Sequence, residues 1–203
     1  MQTELCQLFH KYGSDKCPQI LHSYSPHYHN LLNQYKTTFK NILEIGIGTP
    51  DLMKPIVGDN YQSGASLKAW RDYFVNAYIF GADINTNAFF SHEYRIKCLQ
   101  CDQSNSTSLM QTIEYIKCYT NNHYLQLDLI VDDGSHIVEH MITSINTLFQ
   151  YLKPYGIYII EDIKHQEIEL FTQNLPPNCN IIKIHEGTFY WDAFVAYQKI
   201  PAI

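Results

Sequence analysis

From residue 40 onward, short runs rich in apolar and β-branched residues alternate with longer stretches whose apolar residues recur at helical spacing. That is the pattern of a parallel sheet covered by helices. Seven strands are expected, at Asn41–Ile45, Ala77–Ala82, Tyr94–Gln100, Leu127–Val131, Gly156–Ile160, Asn180–His185 and Phe194–Lys199. Between them, Ala65–Phe74, Asn105–Tyr119, His136–Leu152 and His165–Leu175 read as helices. The helix that runs to Leu152 is expected to stop at KPYG, where Pro154 and Gly156 end it and launch a strand. Glu186 to Ala193 leaves room only for a hairpin, which makes the last strand antiparallel. Residues 1–40 lie outside the alternation, are rich in His and Tyr, and read as a cap or lid on one domain spanning 1–203.

Composition narrows the partners. A chain of 203 residues that is 45% hydrophobic can bury one substantial core. Its formal charge of -6 is spread along the chain, with no basic stripe to neutralise phosphates, so nucleic acid is excluded as the expected partner. No apolar run approaches the ~20 residues that span a bilayer, and the start, MQTELCQLFHKYGSDK, lacks the basic and apolar regions of a signal peptide. A cytoplasmic protein is expected, with no membrane partner. Its six cysteines are then expected as free thiols, and the pair Cys98 and Cys101, without two further clustered ligands, reads as structural.

Ligands of open α/β sheets bind at the carboxyl ends of the strands. The first strand ends LEIGIGTP, where Gly46 and Gly48 allow a tight turn and a close backbone approach, or simply end the strand. The dinucleotide motif GxGxxG fails because its third glycine position is Asp51, and the next acid, Asp83, lies well beyond the usual ~20-residue spacing. A nicotinamide dehydrogenase is therefore disfavoured. The next two strands end in IFGAD and LQCDQSN. Asp83 and Asp102 are placed to accept hydrogen bonds from a ribose and an adenine, or are ordinary turn carboxylates.

Taken together, Glu44 with its glycines and the two successive acids resemble the class I S-adenosylmethionine-dependent methyltransferases over roughly residues 40–200. The resemblance implies a Rossmann-like seven-stranded α/β sheet, mostly parallel with its last strand antiparallel, with helices on both faces. It implies that Glu44, Gly46 and Gly48 lie against the methionine part of S-adenosylmethionine, Asp83 against the ribose, and Asp102 and Gln103 against the adenine. A long loop, Thr49–Gly64, is expected before the first helix of the core, and Gly64 and Ser66 would stand at that helix's N-terminus, where free N–H groups suit a carboxylate.

In that fold the fourth strand lies beside the first, and DLIVDDGSH and GIYIIEDI end at one rim. Asp132, Asp133, Glu161 and Asp162 would repel one another there without a cation, whereas Mg²⁺ takes oxygen ligands and keeps water or substrate oxygens. The series YGSDK, HSYSPHY, LEIGIG, GASLKAWRDYF, GADI, DQSN, DDGSH and IYIIED resembles the macrocin-type sugar O-methyltransferases and the cephalosporin hydroxylase-like group nearly end to end. The resemblance implies Asp133, Glu161 and Asp162 as metal ligands and His136 as general base, with Asp132 turned to helix or cofactor and His140 in support. It gives Tyr12, Asp15, Lys16, His22, Tyr24 and Tyr28 either a covering role over cofactor and acceptor or a packing role. The implied function is metal-assisted O-methylation of a sugar hydroxyl on a small molecule, with a homo-oligomer left open. A catechol or phenolic O-methyltransferase, or a cofactor-binding protein without transferase activity, remain alternatives that an acceptor assay separates.

Overall fold

The computed structural model describes residues 2–91 and 93–201. Its sheet runs β3-β2-β1-β4-β5-β7-β6, built from β1 (Asn41–Ile45), β2 (Tyr78–Asp83), β3 (Ile96–Gln100), β4 (Leu127–Asp132), β5 (Leu152–Ile163), β6 (Cys179–Glu186) and β7 (Ala193–Lys199). Neighbours pair in parallel except β7, which is antiparallel to both β5 and β6. The expected hairpin closes with Glu186 opposite Ala193. Strand order reverses between β1 and β4, which sets the ligand-binding crevice at their carboxyl ends.

Because successive strand side chains point to opposite faces, the apolar runs feed two cores. Ile42, Ile79, Leu129, Val131, Ile157 and Ile159 face one layer, while Leu43, Phe80, Ile130, Tyr158 and Ile160 face the other. The first layer holds α1 (Glu4–Tyr12), α2 (Tyr24–Leu32) and α4 (Ala65–Tyr73); the second holds α5 (Ser106–Thr120), α6 (Val138–Leu148) and α7 (Ile168–Gln173). The N-terminal cap is thus also part of the core. Leu5, Phe9, Tyr24, Tyr28 and Leu32 are fully buried, and Phe9 meets Trp70 edge-on with ring centroids 4.9 Å apart.

Three local expectations are corrected. The segment Thr49–Gly64 contains a helix, α3 (Pro50–Val57), started by Thr49, whose hydroxyl accepts from Leu52 N at 3.3 Å, and by Pro50 at its first position. None of its residues is buried. Helix α6 starts two residues after His136 and ends at Leu148, followed by a 3₁₀ turn at Phe149–Tyr151. Pro154 and Gly156 then lie inside β5, in a bulge that carries the pairing from Leu127–Leu152 to Leu129–Ile157. Proline has no N–H for the ladder, and the bulge sets it aside from the pairing. Among the described residues no helix is long and apolar enough to cross a membrane.

Candidate active site

The carboxyl ends of β1 to β4, with Asp162 at the end of β5, open on one cavity of about 870 Å³, a volume suited to a small-molecule ligand. Two turns meet at its floor. Gly46 sits at φ 80°, and a Cβ there would lie 1.8 Å from the carbonyl oxygen of Asp133, so only glycine lets the turn after β1 rest against the turn after β4. Asp133 N in return donates to the carbonyl of Ile45 at 2.9 Å. Gly48, at φ 70°, is crowded by Met53 and the Tyr61 hydroxyl.

Of the residues expected at the cofactor, all line this cavity: Glu44, Gly46, Gly48, Ser66, Asp83, Asp102 and Gln103. Their side chains have different tasks. Glu44 is fully buried and accepts from Ser66 Oγ at 2.5 Å and from the Trp70 indole N–H. It therefore ties β1 to α4, and Ser66 is engaged by Glu44. Burial pushes the Glu44 carboxyl up to about 7, opposed by Lys16. Asp83 accepts from Ile47 N at 3.0 Å and from Asn85 N at 2.8 Å, one bond on each oxygen, which leaves each a further lone pair for a ligand hydroxyl. Asp102 takes both bonds from Ser104 on Oδ1, at 2.9 and 2.6 Å, and these bonds hold its carboxyl below the ordinary range. Gln103, nearly buried, donates to Asp132 Oδ1 at 2.5 Å and accepts from Ser135 N at 2.9 Å. It is a strut that fixes the DDGSH turn.

The acids of β4 and β5 separate into three environments. Asp132 turns inward beneath α6, bonded by Gln103 and by the Tyr158 hydroxyl at 3.3 Å, and burial raises its carboxyl to about 7. Asp133 and Asp162 face the cavity with His136, and one ligand atom of each lies within 4.8 Å of the others. His136 and Asp162 both hold left-handed backbone, at φ 55° and 53°, a conformation that costs non-glycine residues roughly 1–2 kcal/mol and concentrates at functional sites. The third expected ligand, Glu161, stands outside this group. It is buried with a donor on each oxygen, Lys16 Nζ at 2.5 Å on one and the Tyr28 hydroxyl at 2.8 Å on the other. Two carboxylates with a flanking imidazole fit a hard cation that retains water or substrate oxygens.

The N-terminal segment contributes more than cover. Lys16, 2% exposed, also reaches Asp133 at 2.5 Å; burial alone would depress its ammonium, but Asp133 and Glu161 carry it well above the usual lysine value. His22 is buried against Asp192, Nδ1 to Oδ1 2.7 Å, with Nε2 directed to Asp162 and Asp15 at 3.8 and 3.9 Å. Tyr24 donates to Asp162 at 2.6 Å. Tyr12 stands apart, bonded to Asp72 at 2.5 Å on the outer side of α4. His140 lines the cavity and bonds Ser135 Oγ at 2.9 Å. Sequence reading did not single out Asp192 or Trp191. Both lie in the β6–β7 hairpin, where no strand-end pattern marks them, and only tertiary folding brings them to His22.

No protein-family model matches the chain. Curated relatives do. The L-olivosyl-oleandolide 3-O-methyltransferase of Streptomyces antibioticus is 36% identical over 152 residues, 75% of this chain and 35% of that protein. The demethylmacrocin O-methyltransferase of Streptomyces fradiae is 34% identical over 143 residues, 70% of this chain and 32% of that protein. Among solved structures, the MycE methyltransferase of the mycinamycin pathway, in complex with Mg, SAH and mycinamycin VI, superposes with a TM-score of 0.69 at 25% identity, covering 95% of this chain and 53% of that one. The chain is a relative of the macrolide sugar O-methyltransferases. It spans about a third of the length of the curated relatives it matches.

Proposed function

We propose that the protein is an S-adenosylmethionine-dependent, divalent-metal-assisted O-methyltransferase whose acceptor is a hydroxyl of a sugar on a small molecule. The observation that carries this reading is the junction of the two turns at Gly46 and Asp133, which sets a cofactor-sized crevice directly beside the group Asp133, His136 and Asp162. Its relatives' names, methyltransferases of glycosylated macrolides, support the acceptor class.

S-adenosylmethionine supplies a methyl group on a positively charged sulfur, and a divalent cation makes a bound hydroxyl more acidic and orients it. The chain's own residues do the rest. The turn Gly46–Gly48 admits the cofactor backbone-close, with Asp83 and Asp102 at the ribose and adenine ends. Asp133 and Asp162 would hold the cation at the wall of the cavity, and its charge would make a nearby acceptor hydroxyl more acidic. As the new C–O bond forms and the C–S bond breaks, the hydroxyl proton passes to His136, which stands 3.8 Å from Asp162 through Nε2. S-adenosylhomocysteine and the methyl ether leave.

The test is transfer of labelled methyl from S-adenosylmethionine to a panel of glycosylated macrolides, free sugars and catechols, with and without EDTA. Transfer to a glycoside that stops on chelation and returns with Mg²⁺ is expected. Methylation of catechols alone would move the acceptor to the phenolic class, and undiminished turnover after exhaustive chelation defeats the metal's role. Binding of S-adenosylhomocysteine with no transfer to any acceptor would favour a binding protein.

A further inference from the structure

Trp191 lines the cavity and does nothing in the reaction set out above. The two tryptophans of the chain contrast: Trp70 is fully buried in the core, whereas Trp191 is only partly buried. It belongs to the connection between β6 and β7, beside two further aromatic rings left in solvent, Phe189 at 41% exposed and Tyr190 at 66%. Large rings gathered at the mouth of a cavity and open to water mark a surface that a ligand covers.

The turn that carries Trp191 is tied on three sides. Gly187 N donates to the Asp192 carbonyl at 2.7 Å and Asp192 N to the Phe189 carbonyl at 3.1 Å, which closes the turn on itself. His165 N donates to the Tyr190 carbonyl at 2.7 Å, and Asp192 Oδ1 bonds His22 Nδ1 at 2.7 Å, so the turn is held both by the segment after β5 and by the N-terminal segment. Phe189 stacks beside the indole, with centroids 5.2 Å apart and planes 8° apart, and His22 meets it at 82° with centroids 5.3 Å apart. Two ring neighbours at right angles to one another fix the plane of the indole. Its place along the rim is set by the sheet. Ala193 pairs with Ile163, so the turn stands at the carboxyl end of β5, across β1 and β4 from Asp83 and Asp102 at the cofactor end.

We propose that Trp191 is the platform on which the sugar of the acceptor stacks. The inference rests on the methyltransferase reading above and adds to it the place where the acceptor is held. A pyranose ring presents C–H groups on its faces and hydroxyls around its rim. An indole covers the C–H face by apolar contact and leaves the rim hydroxyls unpaired, so the sugar is held while a hydroxyl stays free to turn towards the middle of the cavity. A pocket of mostly apolar walls with a few polar groups to set orientation follows the same division of labour. The fixed plane of the indole matters because a ring already held in place loses little freedom when the sugar lands on it.

Trp191 is also its own reporter, because Trp70 is buried away from the cavity mouth. The full chain with S-adenosylhomocysteine bound is titrated with erythromycin A, a glycosylated macrolide, with methyl α-L-rhamnopyranoside, a sugar without an aglycone, and with catechol. Tryptophan emission and calorimetry follow the binding, and the melting temperature of every variant is checked. Both glycosides should change the emission of wild type. Trp191→Phe keeps a ring and leaves Trp70 as the emitter, so it should bind both glycosides within about fivefold of wild type while the emission stays constant. Trp191→Leu is apolar but has no ring face and should bind them roughly tenfold or more weakly; if it does not fold, Trp191→Met takes its place. Tyr190→Ala should bind as wild type does, and S-adenosylhomocysteine affinity should be the same in all variants. A folded Trp191→Leu with wild-type glycoside affinity overturns the proposal, and so does a Tyr190→Ala that weakens binding as much, since the effect then belongs to the turn and not to the indole. Absence of glycoside binding to the wild-type complex overturns it as well, whether or not catechol binds, and methyl transfer to the acceptor panel then decides separately whether the methyltransferase reading stands. Failure of wild type to bind S-adenosylhomocysteine removes that reading, and this inference with it.

Discussion

Replacing Gly46 by alanine probes the contact that joins the cofactor half of the cavity to its chemical half. A methyl group at Gly46 would lie 1.8 Å from the Asp133 carbonyl oxygen, where real Cβ atoms do not come within 3.0 Å, so one turn must withdraw by roughly 1.2 Å. The backbone at φ 80° adds its own term, about 1–2 kcal/mol for a residue with a Cβ, and overpacking adds about 1–3 kcal/mol. The sum, about 2–5 kcal/mol, corresponds at about 2–4 °C per kcal/mol for a domain of this size to a melting temperature lowered by roughly 4–20 °C. Asp133 moves with its turn, and a misplacement of about 1 Å costs on the order of 10² in rate. Gly13→Ala is the matched control, since Gly13 has φ 75° but no atom within 4 Å of its Cβ position; it should show the conformational term alone. Differential scanning calorimetry and methyl-transfer kinetics on both variants give the comparison. If Gly46→Ala melts where Gly13→Ala does and transfers at the wild-type rate, the close approach of the two turns has no bearing on stability or chemistry.

Further outcomes follow from the same geometry. Asp83→Ala should weaken S-adenosylhomocysteine binding by about 2–4 kcal/mol, the scale of two charge-assisted hydrogen bonds, in calorimetric titration of a protein whose melting temperature is checked; unchanged affinity removes Asp83 from the cofactor. His136→Gln should lower kcat by roughly 10² to 10⁴ with cofactor affinity retained, and a near wild-type kcat where chemistry limits the rate would leave His136 a loop residue only. Asp132→Asn should flatten the pH dependence of stability. With its folded-state carboxyl raised to about 7 by burial, Asp132 keeps in the folded chain a proton that the unfolded chain releases near pH ~4. The stability it contributes is full below that pH and lost as pH rises towards 7, by up to about 4 kcal/mol. Urea titrations at pH 5 and 7.5 should therefore show the variant gaining on wild type with rising pH, and a constant difference would refute the assignment.

Much of this was legible in the residues. The period of the apolar runs gave seven strands, because a sheet buried on both faces needs continuous apolar segments such as Leu129–Val131, and the eight residues from Glu186 to Ala193 allowed only a hairpin. Asp83, Asp102, Asp133 and Asp162 were found at the cavity because strand ends are where a parallel sheet presents its ligands, a rule of topology that needs no side-chain detail. The pattern misled where a residue's local habit was overruled. Pro154 and Gly156 signal a stop, yet pairing of β5 with β4 on either side carries the strand through them as a bulge.

What a side chain does at the rim was decided only by the fold. Asp132 and Asp133 are neighbours in sequence with the same chemistry, and the alternation of a strand end sends one beneath α6 to Gln103 and Tyr158 and the other to the cavity. Glu161 and Asp162 divide in the same way, since Glu161 meets Lys16 and Tyr28 while Asp162 faces His136. Lys16 and Tyr28 lie more than a hundred positions from Glu161, and so does Asp192 from His22. The sequence determines which groups can carry charge and at which strand ends they stand, because both depend on short-range pattern. The pairing of those charges depends on distances that exist only after the two helix layers have closed on the sheet, because buried charges must find their partners in space and not along the chain.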